Sequence, residues 1–279
     1  MKTRILTSIV AICILLPVLY FSGTPALPAA VAIVALISIY EILKCIGIKK
    51  LYISLPIYAA AAAAPFLVRY MEDAVAFATV AFAVFAIILI YLFAVCVLSH
   101  GKFSFESLGT VFTASLYIIA AYASIVYVRD FEDHGKYVYL LIFIGAWVTD
   151  TFAYFSGMLF GKHKLIPDVS PKKTVEGSIG GTVFCSLAFV LFGVIMNTWF
   201  GADANFLLLA IGGVFMAVIA QIGDLIMSVI KRHYGIKDYG KIFPGHGGML
   251  DRFDSIIAVS TSLFIAISAL KLFNIDILF

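Results

Sequence analysis

Acidic and basic residues are concentrated between Gln221 and Ser255, where one apolar run ends and the next begins. Carboxylate oxygens are the ligands that Mg²⁺ prefers in proteins, and Lys and Arg side chains bind phosphate oxygens. The segment therefore predicts divalent-metal and phosphate chemistry. Its charged residues are Asp224, Lys231, Arg232, Lys237, Asp238, Lys241, Asp251, Arg252 and Asp254.

The first part of this segment has the spacing of a helix face. Gln221, Asp224, Ser228, Lys231 and Arg232 follow one another at intervals of three, four, three and one, so they form one stripe. A carboxylate within an apolar span is costly and usually functional, which makes Asp224 a candidate metal ligand. Hydrogen bonding to a neighbouring helix is the alternative role for this side chain.

A glycine-rich loop follows, with three glycines among the five residues Pro244–Gly248. Such a backbone can approach a phosphate closely and present its N–H groups, although a simple connecting turn needs the same residues. Directly after the loop, Asp251 supplies a second carboxylate that a returning helix can bring to Asp224. His246 is a candidate acid–base group or a hydrogen-bond donor to phosphate.

An earlier apolar run carries a third group of candidates. Asp150 and Tyr154 share a helix face with Gly157 and Gly161, and Asp150 again lies deep in an apolar span. For the two glycines, the expected role is close packing of helices.

A basic loop, 161–176, comes next. Thr174 and Glu176 are candidate caps of the glycine-rich helix that begins there. Lys172 and Lys173 precede them, where an anionic ligand would meet the positive end of that helix.

The elements that must position these residues are membrane spans. Of 279 residues, 63% are hydrophobic and 13% are charged, with a mean hydropathy of +1.09; soluble domains carry about 25% charge. Because a span needs about 20 apolar residues, the sequence predicts an all-α, polytopic membrane protein with about nine transmembrane helices. They are placed at 5–21, 27–47, 51–69, 74–98, 107–128, 136–160, 177–200, 205–230 and 254–274.

Three local features qualify this prediction. The first run has the basic start of a secretory signal, but an uncleaved span is favoured because the apolar run is long. Pro56 and Pro65 predict a kink in the third span. The four cysteines are widely spaced within apolar runs, so we expect buried small side chains rather than disulfides or a zinc site.

The distribution of positive charge predicts the orientation. With the N-terminus inside, the cytosolic side holds 15 of the 19 Lys and Arg residues, and the other side holds Arg69, Arg129, Lys136 and Lys271. Loops 161–176 and 231–253 then face the cytosol. We expect the protein to span the cell inner (plasma) membrane. We divide the chain into residues 1–135, a scaffold with lipid and dimer contacts, and residues 136–279, the catalytic region.

Taken together, these residues resemble the signature of bacterial-type phosphatidate cytidylyltransferases, or CDP-diacylglycerol synthases. A second family block matches from Asp150 through Gly181, so the resemblance covers roughly the second half of the chain. The C-terminal signature is matched by Ser228, Lys231, Arg232, Lys237, Asp238, Gly240, Phe243, Pro244, Gly245, His246, Gly247, Gly248, Asp251, Arg252 and Asp254.

The resemblance implies a membrane enzyme that forms CDP-diacylglycerol and pyrophosphate from CTP and phosphatidic acid. It implies Mg²⁺ held by Asp224 and Asp251, K⁺ as a candidate second cation, and a homodimer; no nucleic-acid partner is expected. The catalytic candidates are Asp224, Asp251, Lys231, Arg232, Ser228 and His246. The substrate-binding candidates are Lys172, Lys173, Lys237, Asp238, Gly247, Gly248, Arg252, Asp254, Asp150 and Tyr154.

Three other functions remain as alternatives. An ion-coupled transporter also places aspartates within the membrane, but it would be expected to show a repeated half, and neither motif has a second copy. A CDP-alcohol phosphotransferase carries a motif that begins Asp-Gly, and this dipeptide does not occur in the sequence. A purely structural membrane scaffold does not account for the charge density of residues 221–255.

Overall fold

The computed structural model describes residues 2–71, 73–132, 134–245 and 247–274. Within them the chain forms ten helices and one short hairpin. The helices are α1 (Lys2–Tyr20), α2 (Ala26–Ile46), α3 (Leu51–Tyr70), α4 (Ala74–Leu98), α5 (Phe105–Asp130), α6 (Gly135–Val138), α7 (Leu140–Phe160), α8 (Val175–Phe200), α9 (Phe206–His233) and α10 (Leu250–Leu272). The strands are β1 (Lys164–Ile166) and β2 (Ser170–Thr174).

The predicted all-α membrane architecture is confirmed. Among the described residues, eight helical spans are long and apolar enough to cross a membrane: α2 to α5, α6 together with α7, and α8 to α10. The protein is therefore a multi-pass membrane protein. The first predicted span, 5–21, corresponds to α1, whose described side chains form a shorter apolar segment, Val10–Tyr20. Helix α3 continues through Pro56 and Pro65 without a break.

The helices group into two compact units. The first unit comprises Met1–Asp130 and Tyr234–Arg252, and the second comprises Phe131–His233 and Phe253–Phe279. Residues 234–252 thus pack with the N-terminal helices, although we assigned them to the catalytic region on sequence. The functional division at residue 135 stays a prediction.

In the first unit, α2, α3 and α5 pack against one another. Ile39, Ile57 and Ile118 are fully buried between them. One polar link crosses this core, a 2.8 Å hydrogen bond between the hydroxyls of Ser38 and Tyr122. Because lipid tails are as apolar as these side chains, close packing and such hydrogen bonds stabilise the unit more than hydrophobic burial does.

In the second unit, glycines bring α7 and α8 into close contact. A Cβ atom at Gly177 would lie 2.6 Å from the Ala153 carbonyl oxygen, and one at Gly157 would lie 2.8 Å from Thr174 Oγ1. Any larger side chain would separate these helices, which confirms the packing role predicted for Gly157. This contact holds the start of α8, and the hairpin before it, against α7.

The loop predicted at 161–176 contains the β1–β2 hairpin, which the sequence analysis missed. Lys164 pairs with Thr174, and the turn includes Pro167 and Asp168. The strands have three and five residues, too few for a recognisable alternation. Capping by Thr174 is confirmed, since its hydroxyl accepts the Gly177 N–H at 3.1 Å.

The cysteines are all free thiols, as predicted. Cys185 is buried, whereas Cys45 and Cys96 are half-buried and Cys13 is exposed. The expectation of burial is therefore wrong for Cys13, because the described side chains of α1, Val10–Tyr20, are mostly exposed and an apolar run faces lipid as readily as protein.

Candidate active site

Helix α9 carries the predicted polar stripe into the interior of the second unit. Gln221, Ser228 and Lys231 are buried, and Asp224 is half-buried. The Gln221 amide donates to Thr182 Oγ1 of α8 at 3.2 Å. The stripe therefore faces protein from Gln221 to Lys231, as its helical spacing predicts, whereas Arg232 at its end is exposed.

Asp224 forms a close ion pair with the hairpin. Lys173 Nζ at the end of β2 lies 2.6 Å from Asp224 Oδ2 and donates to the Gln221 carbonyl at 3.4 Å. On the other side, the Ser228 hydroxyl donates to Asp224 Oδ1 at 3.5 Å. Two candidates from separate motifs, Lys173 and Asp224, are thus in direct contact.

Asp254 of α10 relates Asp224 to a third carboxylate, that of Asp150. The charge of Asp254 interacts electrostatically with Asp224, Asp150 and Lys231. We call Asp150, Asp224 and Asp254 the acidic cluster. Ser255 connects two of its members, donating its hydroxyl to Asp150 Oδ2 at 3.1 Å and its N–H to Asp254 Oδ1 at 3.0 Å.

The donor chemistry of this cluster fits Mg²⁺. Carboxylate oxygens are its preferred protein ligands, and Mg²⁺ sites usually combine one or two carboxylates with water and substrate phosphates. No group of three or more His, Cys, Asp or Glu side chains in the described part of the chain could hold a metal ion by itself.

In the first unit, the glycine loop folds around Asp251. This side chain is 7% exposed, and its Oδ2 accepts the N–H groups of Tyr239 at 2.8 Å and Gly248 at 2.9 Å. Gly247 has a φ of +88°, and a Cβ atom there would lie 2.8 Å from Asp251 Oδ2. Glycine is needed at this position because the turn is left-handed and tightly packed.

The remaining candidates are more exposed. Arg232 donates its Nε–H to the Val169 carbonyl in the hairpin turn at 3.5 Å, and Tyr154 is 67% exposed with its ring edge-on to Phe155. The exposed charged candidates are Arg232, Lys172, Lys237, Asp238 and Arg252. Their substrate-binding roles, and the pairing of Asp224 with Asp251, stay predictions; His246 lies outside the described residues.

One acidic residue near the glycine loop was missed. Glu41 of α2 is 1% exposed, and its carboxylate accepts the N–H groups of Met249 and Leu250 at 3.0 and 2.9 Å. A lone acid in an apolar span was the signal that selected Asp224, and it was present here too. We passed over Glu41 because it stands outside both motifs.

Comparison with known proteins identifies the family. Residues 2–270 match the sequence profile of the Cytidylyltransferase family. The chain belongs to this family. It is similar to proteins named phosphatidate cytidylyltransferase from Staphylococcus haemolyticus and Staphylococcus aureus, with 36% and 37% identity over 93% of this chain and 96% of each relative. The protein of that name from Bacillus subtilis is 36% identical over 65% of both chains.

Membership makes this protein a nucleotidyltransferase of the bacterial-type phosphatidate cytidylyltransferase family, as the motifs indicated. It decides against the transporter, CDP-alcohol phosphotransferase and scaffold interpretations. The match also extends through the N-terminal helices, where the sequence analysis found only hydrophobic spans.

Proposed function

We propose that this protein is a phosphatidate cytidylyltransferase, which converts CTP and phosphatidic acid into CDP-diacylglycerol and pyrophosphate. The observation that carries the proposal is the similarity to relatives of that name along 93% of the chain. The ion pair and acidic cluster of the second unit support it, because phosphate transfer needs cations and carboxylates close together.

The reaction is a displacement at phosphorus. An oxygen of the lipid phosphate forms a bond to the α-phosphorus of CTP, and the bond from that phosphorus to the bridging oxygen breaks. The bonding electrons leave with pyrophosphate. Because the nucleophile is already an anion, no covalent enzyme intermediate is needed, and the main barrier is the repulsion between two polyanions.

The protein's contribution is therefore positive charge and positioning. Lys231, Arg232, Lys237 and Arg252 clamp phosphates, and Lys172 and Lys173 add a second cationic wall. Ser228 and Asp254 support the site, and Asp150 and Tyr154 line its polar surroundings. Bound Mg²⁺, which we assign to Asp224 and Asp251, would neutralise phosphate charge, and K⁺ is proposed as the second cation.

We place this chemistry at the cytosolic face of the cell inner membrane, where CTP is available. The charge distribution supports the orientation, since most Lys and Arg residues fall on one side of the spans. A homodimer is part of the same proposal, with its interface unassigned.

A single assay tests the function. Purified protein in detergent is expected to convert labelled CTP and phosphatidic acid into labelled CDP-diacylglycerol, with release of pyrophosphate. EDTA should abolish the reaction, and excess Mg²⁺ should restore it. Folded, monodisperse protein that forms no lipid nucleotide under these conditions would refute the proposal, and EDTA-resistant turnover would refute the metal assignment alone.

Burial distinguishes two lysines of the proposed clamp. Lys231 is 8% exposed, whereas Lys237 is exposed. Lys231→Ala should lower kcat/KM more than about 100-fold, a loss of about 3 kcal/mol of transition-state stabilisation, because a desolvated charge is lost. For Lys237→Ala, the loss of transition-state stabilisation should be about 1 kcal/mol or less. Kinetics should be normalised to folded protein by size-exclusion chromatography, and equally small losses for both variants would contradict the assignment of Lys231.

A further inference from the structure

Glu41 is the most deeply buried charged side chain among the described residues. It lies near the end of α2, one turn before Lys44, in a helix that is otherwise almost entirely apolar. Burying a carboxylate costs several kcal/mol unless its oxygens are well hydrogen-bonded. The burial of the Glu41 carboxylate therefore needs a structural or functional explanation.

Two hydrogen bonds join the Glu41 carboxylate to the start of α10. Oε1 accepts the Met249 N–H at 3.0 Å, and Oε2 accepts the Leu250 N–H at 2.9 Å. The first N–H groups of a helix have no partner within the helix, and they form its positive end. Glu41 thus caps α10 from a helix more than 200 residues earlier in the chain.

Two signature glycines make room for this carboxylate. A Cβ atom at Gly240 or at Gly248 would clash with Glu41 Oε1, and the Cα of Gly248 lies 3.2 Å from the Cβ position of Gly240. The loop therefore closes around the carboxylate from both sides. Glycine at 240 and 248 is explained by Glu41, without reference to any ligand.

The same loop holds Asp251. Consecutive N–H groups are divided between the two acids, that of Gly248 bonding to Asp251 and those of Met249 and Leu250 bonding to Glu41. The two negative charges repel each other, and Lys44 offsets part of this repulsion. Two carboxylates that repel each other while binding three successive backbone amides lower the stability of the fold. Such local destabilisation is typical of functional sites.

We propose that Glu41 is a positioning residue of the active site. It fixes the first turn of α10, and through it the orientation of the Asp251 carboxylate, by holding two backbone N–H groups. This inference rests on the proposed function, because Glu41 would affect the reaction only by orienting Asp251, which we assign to Mg²⁺. Glu41 itself does not touch substrate.

The first test is amide hydrogen exchange in the wild-type protein, which requires no activity. The amides of Met249 and Leu250 should exchange between about 10- and 100-fold more slowly than those of Leu51 and Tyr52, because a charged acceptor holds them. Those control residues open α3, whose preceding Lys50 provides no side-chain cap. Equal exchange rates in the two first turns would overturn the proposal even if every variant failed to fold.

The second test uses Glu41→Gln, which keeps the shape and removes the charge, with Glu106→Gln in the exposed first turn of α5 as the matched control. With phosphatidic acid, CTP and varied Mg²⁺, Glu41→Gln should lower kcat per folded enzyme between about 10- and 100-fold. It should also raise the Mg²⁺ concentration for half-maximal rate, with little change in KM for CTP.

The outcomes separate the two proposals. Wild-type protein that is inactive with CTP and phosphatidic acid contradicts the proposed function, whereas the exchange measurement still decides whether Glu41 holds the helix. Active wild-type protein together with Glu41→Gln of unchanged kcat and unchanged Mg²⁺ dependence overturns the positioning role. A lower melting temperature with unchanged kcat per folded enzyme overturns it as well, since that pattern marks a purely structural residue.

Discussion

Replacing Asp224 with asparagine should abolish nucleotidyl transfer and leave the protein folded. The substitution preserves size but removes the charge that pairs with Lys173 at 2.6 Å. It also removes the carboxylate that we assign to Mg²⁺, and the neutral amide is a poor ligand for this ion. We expect kcat/KM to fall by at least about 10³-fold, or about 4 kcal/mol.

Measurement requires kinetics over a range of Mg²⁺ concentrations, with folding checked by size-exclusion chromatography and thermal melting. Asp203→Asn is the matched control, because Asp203 is an exposed aspartate in the connection between α8 and α9. The control should retain wild-type activity. Near-normal, Mg²⁺-dependent turnover in Asp224→Asn would remove Asp224 from the proposed metal site.

Asp251→Asn should cause a loss of similar size, with a measurable loss of stability as well. Asp251 is buried, and its Oδ2 accepts two backbone N–H groups from the preceding loop. A neutral amide is a weaker acceptor, so the free energy of unfolding should fall by about 1–3 kcal/mol. The activity loss should greatly exceed this effect, since we assign Asp251 to Mg²⁺ as well.

Activity per folded molecule separates these two effects. Thermal melting in the same detergent reports the stability change, and Asp203→Asn again serves as the control. If Asp251→Asn loses stability but retains its turnover per folded enzyme, then Asp251 holds the loop and does not serve the reaction.

The double variant Asp224→Asn/Asp251→Asn tests whether the two carboxylates act together. If they share one ion, removing the second should cost little more than removing the first, because groups that act as a unit are strongly non-additive. Independent roles would instead give additive losses in kcat/KM, which would contradict the shared site.

Much of the fold follows from local properties that the sequence contains. Each span needs its own run of apolar residues, so eight membrane helices could be placed within a few residues of their observed ends. The stripe from Gln221 to Arg232 depends only on helical spacing, and the cap at Thr174 depends on contacts with the next turn. The motifs were likewise sufficient to identify the family.

Only the tertiary structure decided which distant groups meet. Lys173 and Asp224 are 51 positions apart, and Glu41 reaches Leu250 across 209 positions. Which face of one helix meets another depends on the packing of small residues such as Gly157 and Gly177, and hydropathy carries no information about such pairs. For this reason the sequence contained the acids and cations of the site, but the partner of each one emerged only from helix packing.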